Sequence, residues 1–394
     1  MVTLKKKKIA TMYFGKIPRD WKVVKVDEIT LFHKQGYYTN EKYTTSGQYI
    51  LLRATDMQNP YIHIDTAPRI NVSKKDFESY KVEKGDILIV RSGSIGRYGI
   101  VEEDKKAIFG SYLIKFKLNQ KNVSNKYFGY LYNSDFTFRQ LKRIQQGSSN
   151  ININAENIKA IYLPLPSLEE QEQIATVLSD MDDLIESLEK IIEKKKKIKQ
   201  GTMQQLLTGE KRLPGFNDSW VEDKLGNLSF IKTGSKNNQD QTGDGKYPFF
   251  VRSQEVARID TYSYDCEAVL VPGEGGIGEI FHYVNGKFDA HQRVYVINEF
   301  NEISGKYIYY YLKQNFLDHA MKYTVKATVD SLRLPTFQDF MIIYPANKNE
   351  QKEIVKVLSD MDAEIEALEE KLEKYKRLKE GMMQELLTGR IRLV

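Results

Sequence analysis

The residues of this chain with the types and spacings that chemistry needs are few. Gly273-Glu274-Gly275-Gly276-Ile277-Gly278 has the glycine spacing of a dinucleotide cradle, in which bare backbone N–H groups and a helix N-terminus hold a pyrophosphate. The residues after it, Glu279-Ile280-Phe281-His282-Tyr283-Val284, read as a strand running into a hairpin turn at Asn285-Gly286, so the helix that such a cradle requires is missing. His33, His63, His282, His291 and His319 stand apart with no metal-ligand spacing, and the single Cys266 allows no disulfide framework. No Gly-x-x-x-x-Gly-Lys-Ser/Thr loop and no nucleophile elbow is present, and Asn59-Pro60-Tyr61 reads as a turn. The sequence predicts a chain that is no enzyme and holds neither metal nor cofactor of its own.

A second kind of chemistry is carried by long basic and polar side chains, which reach phosphates as cations and base edges as hydrogen-bond partners. Residues 1–167 hold 28 Lys and Arg against 15 Asp and Glu, while residues 210–347 hold 15 against 18, within a chain of net charge +6. The excess over the first part is the footprint of a phosphate-binding surface. The first candidates are Lys34, Tyr37, Arg53, Arg91, Ser94 and Arg97, because Arg91 and Arg97 flank the turn Gly93-Ser94-Ile95-Gly96, where glycines let a duplex come close. Lys232, Lys236, Arg252, Gln292, Arg293 and Lys326 are the corresponding candidates in the second part.

An internal repeat positions these residues. Glu170-Gln171, Ile174 and Val177 to Asp182 recur as Glu350-Gln351, Ile354 and Val357 to Asp362, at a constant offset of 180 that continues to Leu206-Leu207-Thr208-Gly209 and Leu386-Leu387-Thr388-Gly389; 24 of the 40 pairs are identical. Ile174, Leu178, Met181, Ile185, Leu188 and Ile192, and again Ile354, Leu358, Met361, Ile365, Leu368 and Leu372, alternate in steps of four and three, the seam of a coiled coil. Each run opens with a capping box, Ser167-x-x-Glu170 or Asn347-x-x-Glu350, and closes on a glycine suited to a left-handed cap. Two helices of about 40 residues, each ~60 Å long, are predicted to pack antiparallel on each other.

Between the helices lie two divergent inserts, the first 19 residues longer counted from Trp21 to Val177 against Trp220 to Val357. Each has a turn-rich start ending in tryptophan, an apolar strand running into a glycine turn (Asp86 to Val90, Ala268 to Val271), and a helical piece near 125–143 or 305–322. The expected architecture is α+β: an N-terminal domain over 1–167, a helix over 168–209, a second domain over 210–347 and a helix over 348–394. The match of Leu386 to Leu393 with Leu206 to Leu213 implies a closed ring, with the C-terminal segment docking where the first insert begins. No signal peptide or membrane span is read, and the chain is expected in the cytoplasm.

Two unlike inserts on a repeated helix pair resemble the DNA-specificity subunit of type I restriction-modification systems. The resemblance rests on Pro164-Leu165-Pro166-Ser167-Leu168-Glu169-Glu170-Gln171-Glu172-Gln173-Ile174-Ala175, on Gly85-Asp86-Ile87-Leu88 with its following glycine turn, and on Leu-Leu-Thr-Gly at both helix ends; the second copy departs at Ala346 and at Glu267-Ala268. It implies that the inserts are two target recognition domains, each reading half of a split double-stranded DNA sequence, and that the helices are a spacer. It also implies two methyltransferase subunits carrying S-adenosylmethionine and two restriction subunits using ATP and magnesium, with no membrane partner. The competing expectation is a coiled-coil scaffold or adaptor that binds proteins and no DNA, for which the acidic second insert speaks.

Overall fold

The run Ile87-Leu88-Ile89-Val90 is apolar at every position instead of alternating, as a strand covered on both faces must be. The computed structural model describes residues 11–40, 43–92, 96–144, 153–323 and 331–393, and the chain divides into two units, residues 1–187 with 372–394, and residues 188–371. The first unit contains β1 (Lys22–Lys25), β2 (Thr30–Gln35), β3 (Tyr49–Leu52), β4 (Ile87–Val90), β5 (Tyr98–Ile100), β6 (Ala107–Phe109), β7 (Leu113–Leu118), α1 (Asn125–Tyr132), α2 (Asp135–Ile144), β8 (Tyr162–Leu165) and the start of the long helix α3 (Leu168–Leu207). Strands β2, β7, β4 and β5 form, in that order, an antiparallel sheet. Ile87 and Ile89 face a core with Phe116, Tyr127 and Leu131, while Leu88 and Val90 face a second cluster with Leu52, Phe109 and Leu113, which accounts for the unbroken apolar run.

The second unit contains β9 (Trp220–Lys224), β10 (Phe230–Thr233), β11 (Tyr247–Phe250), β12 (Ala257–Ile259), β13 (Tyr264–Pro272), β14 (His282–Ala290), β15 (Val294–Asn298), α4 (Gly305–Tyr323), β16 (Met341–Pro345) and the start of α5 (Lys348–Leu386). Its sheet runs β10-β15-β13-β14-β11-β12. Val269 and Val271 face one core, Ala268 and Leu270 another, as in β4. The predicted hairpin turn at Asn285-Gly286 is absent: both residues lie inside β14, opposite Glu267 and Cys266 of β13. Long ladders on either side of the pair outweigh its turn preference, and Gly286 accommodates the kink with φ +134°.

The two units share one backbone frame. Gly36 N donates to Leu113 O and Gly234 N to Val294 O; Gly110 N to Leu52 O and His291 N to Phe250 O; Arg91 N to Tyr112 O and Gly273 N to Arg293 O; Ile153 N to Arg91 O and Leu332 N to Gly273 O. Most of the extra length of the first unit falls between Leu52 and Arg91, which holds the short strands Met57–Gln58 and Tyr61–Ile62 and the helix Lys74–Tyr80. At the helix starts the match extends to side chains: Gln171 and Gln351 each accept from a serine N–H, Ser124 or Ser304, and donate to two carbonyls.

The long helices run antiparallel within each unit. In the first, Glu170 and Asp182 of α3 face Arg392 and Lys379; in the second, Lys199 of α3 and the following Arg212 face Asp362 and Glu350, so that numbers rising along one helix fall along the other. Tyr130 donates to Asp182 (2.8 Å) and Tyr310 to Asp362 (2.7 Å), tying each helix to its own domain. Ile174, Leu178, Leu188, Ile192, Ile354, Leu358, Ile365 and Leu372 are buried, and Met181, Ile185, Met361 and Leu368 half-buried. Ile174 and Leu178 share a core with Leu386, Leu387 and Trp21, so the outer seam is covered by the domain as well as by the opposing helix. Leu178→Ala should cost roughly 2–5 kcal/mol in the first unit and Leu358→Ala a similar amount in the second, read by denaturant unfolding.

The capping boxes form only in part. Glu170 N donates to Ser167 Oγ at 3.2 Å, but the Glu170 carboxylate turns to Arg392 and to the Trp21 indole, and Glu350 turns to Arg212. A charge-assisted fork is a stronger partner for a buried carboxylate than a cap N–H. Gly209 and Gly389 take φ +73° and +69°, and a Cβ at Gly389 would lie 2.6 Å from Pro18, so glycine is required there for conformation and for space. The segment after α5 thus docks where the first insert begins.

Candidate nucleic-acid interface

The shared frame brings the ends of equivalent strands and loops together in each unit, and the candidate residues fall around them. In the first unit, Lys34 Nζ donates to Ser79 O (2.8 Å) and lies 4.1 Å from the Tyr80 ring, against which Tyr37 packs edge-on. Arg53 forks onto the buried Asp56 (2.7 and 3.1 Å), and Arg97 donates to Met57 O (2.8 Å) and Thr55 O. These two arginines therefore meet at one turn, where they hold the loop. Asn59 joins the same place, donating to Gly96 O and accepting from Tyr98 N. Arg91 is half-buried at the end of β4, its backbone pinned by Tyr112 and Ile153. Ser94 and, in the second unit, Lys326 lie outside the described residues.

Four of the candidates in the second unit converge. Arg252 Nη1 and Arg293 Nη1 donate to the two oxygens of Glu274, at 3.3 and 2.7 Å. Gln292 donates to Asn237 Oδ1 at 2.6 Å, and Lys236 Nζ lies 4.0 Å from the fully buried Asp289. Lys232 is separate and exposed, 4.9 Å from the Tyr264 ring. A hollow of about 370 Å³ beside the arginines is lined by Asn238, Gln241, Arg252, Ser253, Glu274 and Gly275. Of the glycines of the false cradle, Gly275 lines this hollow; it and Gly276 have φ +68° and +58°, in a loop followed by β14 and no helix.

Sequence reasoning missed Tyr112 and Tyr38, 63% and 73% exposed beside Arg91 and Tyr37, which offer flat faces to a nucleic acid. Their signal was the company of glycine, Gln35-Gly36-Tyr37-Tyr38 and Gly110-Ser111-Tyr112, where an aromatic on a loop has no core to join. It also missed Glu274, which a search for cations passes over. Among the described residues no group of His, Cys, Asp and Glu could hold a metal ion, and no helix is long and apolar enough to cross a membrane.

His291 sits under the cluster, its Nδ1 accepting from Arg293 N at 3.0 Å; burial first, then Arg252 and Arg293, hold its pKa below the ordinary value despite Glu274. Burial likewise lowers His282, whose Nε2 donates to Ser253 O and whose charged neighbour is Lys313. Both take up a proton less readily in the fold than in the unfolded chain, which does so near pH 6.5. Unfolding then binds protons, so stability of the second unit should fall as pH drops below about 6.5. Thermal melting between pH 8 and 5.5 should show this, with a flatter profile for His291→Gln.

A family model described as the type I restriction modification DNA specificity domain matches residues 18–200 and 217–377. The putative type I restriction enzyme MjaX specificity subunit of Methanocaldococcus jannaschii is 26% identical over 424 residues, covering 96% of this chain and 95% of that protein. The type I restriction enzyme EcoDI specificity subunit of Escherichia coli is 30% identical over 169 residues, covering 43% of this chain and 37% of that one. In fold, the chain is similar to the type I restriction-modification S subunit from M. genitalium, with TM-score 0.65 and 18% identity over 94% of this chain and 96% of that one.

Proposed function

Because the chain belongs to the type I restriction-modification DNA specificity family, we propose that it is the non-catalytic reader of a bipartite double-stranded DNA target, each unit recognising one half. The observation that carries this reading is one backbone frame dressed with unlike side chains: Tyr112 stands where the second unit has Arg293, and Arg91 where it has Gly273. Equivalent frames position two readers alike, and different side chains give them different sequences. The recognition domains proposed are 1–167 and 210–347, with the helices as spacer and as the surface that recruits two methyltransferase and two restriction subunits. S-adenosylmethionine, ATP and magnesium would be carried by those partners, and the complex would work on DNA in the cytoplasm.

The test is duplex binding by the full chain over a salt series. Each phosphate contact contributes a slope of roughly −0.9 in log affinity against log salt. If Arg91 meets phosphate, Arg91→Ala reduces that slope by about one; Arg97→Ala leaves it unchanged, because its guanidinium is spent on Met57 and Thr55 carbonyls. A chain whose affinity for duplex DNA is undetectable at every salt concentration, alone and with its methyltransferase, would favour the scaffold.

A further inference from the structure

Resting on the reading that the second unit binds a half-site, we propose that Arg252 and Arg293 read guanine there and that Glu274 is the positioning residue for both. Glu274 is 23% exposed, against 40% and 54% for the two arginines, so the carboxylate lies beneath and the guanidiniums stand above it. Each is held through Nη1 alone, and among the described residues neither Nε nor Nη2 of either arginine has a hydrogen-bond partner. The Nε–Nη2 edge is a ready fork for O6 and N7 of guanine. Holding a long side chain in place beforehand removes much of the ordering cost of binding.

The same arrangement argues against phosphate as the main partner. A carboxylate shared between two arginines leaves the trio with one net positive charge instead of two, which weakens attraction to the backbone while fixing direction. The surrounding segment, 210–347, is itself net acidic. Arg293 is further fixed through its backbone, its N–H on His291 Nδ1 and its carbonyl accepting from Gly273 N. In the first unit the matching hydrogen bond comes to Tyr112 O, so the device belongs to the second reader alone.

The experiment selects from a randomised duplex library with the full chain, wild type, Arg252→Ala, Arg293→Ala, Arg293→Lys and Glu274→Gln, with thermal melting to confirm folding. Wild type should enrich a two-part motif with guanines in one half. Arg252→Ala and Arg293→Ala should each relax one guanine position, with a roughly 5- to 150-fold loss of discrimination there, and leave the salt slope unchanged. Arg293→Lys, which keeps the charge and loses the fork, should relax the same position as Arg293→Ala. Glu274→Gln should blur both positions while steepening the salt slope of non-specific binding, a change that a merely structural carboxylate would not produce. An intact motif in the arginine variants, or uniform weakening with a slope reduced by about one, would overturn the inference and leave the reader standing. A folded wild-type chain that enriches no sequence, alone and with the methyltransferase, would overturn both.

Discussion

Arg212→Ala is expected to unfold the second unit at markedly lower denaturant, and Arg392→Ala the first, with Arg212→Ala the more damaging. Glu350 and Glu170 are fully buried carboxylates on the first turns of α5 and α3. Arg212 forks onto Glu350 at 2.5 and 2.7 Å, with its guanidinium 5.7 Å from the Trp220 ring; Arg392 binds Glu170 with the same fork, 5.8 Å from the Trp21 ring. A buried carboxylate stripped of its cation costs roughly 3–5 kcal/mol. Glu170 keeps a donor after the loss, because Trp21 Nε1 also bonds it at 3.2 Å, whereas among the described residues Trp220 Nε1 has no partner and Glu350 keeps no side-chain donor. The chain has two tryptophans, one in each unit, so fluorescence unfolding reads both effects in one sample. Arg212→Ala combined with Glu350→Leu should recover most of the stability, since an apolar replacement removes the stranded charge.

How much of this was legible in the sequence depended on whether the signal was periodic or positional. The seam from Ile174 to Ile192 and its copy from Ile354 to Leu372 repeat every seven residues, and burial enforces such a pattern along a whole helix. The offset of 180 stood out for the same reason. The common frame of the two inserts did not, because hydrogen bonds such as Arg91 N to Tyr112 O and Gly273 N to Arg293 O are made by backbone and leave no residue preference behind. Asn285-Gly286 has the composition of a turn, and only its pairing with Glu267 and Cys266 shows it to be strand. Basic residues were the hardest to sort. Arg53 and Arg97 hold a loop, and Arg252 and Arg293 share Glu274, yet each is simply an arginine near glycines in the sequence. What separates them is the partner: Arg53 turns to Asp56 three residues on, whereas Arg97, Arg252 and Arg293 meet a carbonyl or carboxylate about 20 to 40 residues away.

The largest effect on function should come from exchanging the second insert, residues 220–347, for that of a relative with a different target. The exchange leaves the long helices and the first insert untouched, and Arg212 and Glu350, which close the second unit, lie outside the exchanged segment. The frame should therefore accept a new insert, provided that it carries a tyrosine at the place of Tyr310 to bond Asp362 and any residue but proline at the place of Ser304, whose backbone N–H donates to Gln351 Oε1. If each unit reads its own half-site, the change in specificity must be confined to one half, whatever its size. Duplex selection with the exchanged chain, together with the methyltransferase subunits proposed as its partners, measures this directly. The expected motif keeps one half of the original and replaces the other wholly; a motif altered in both halves, or in neither, would contradict independent reading by the two units.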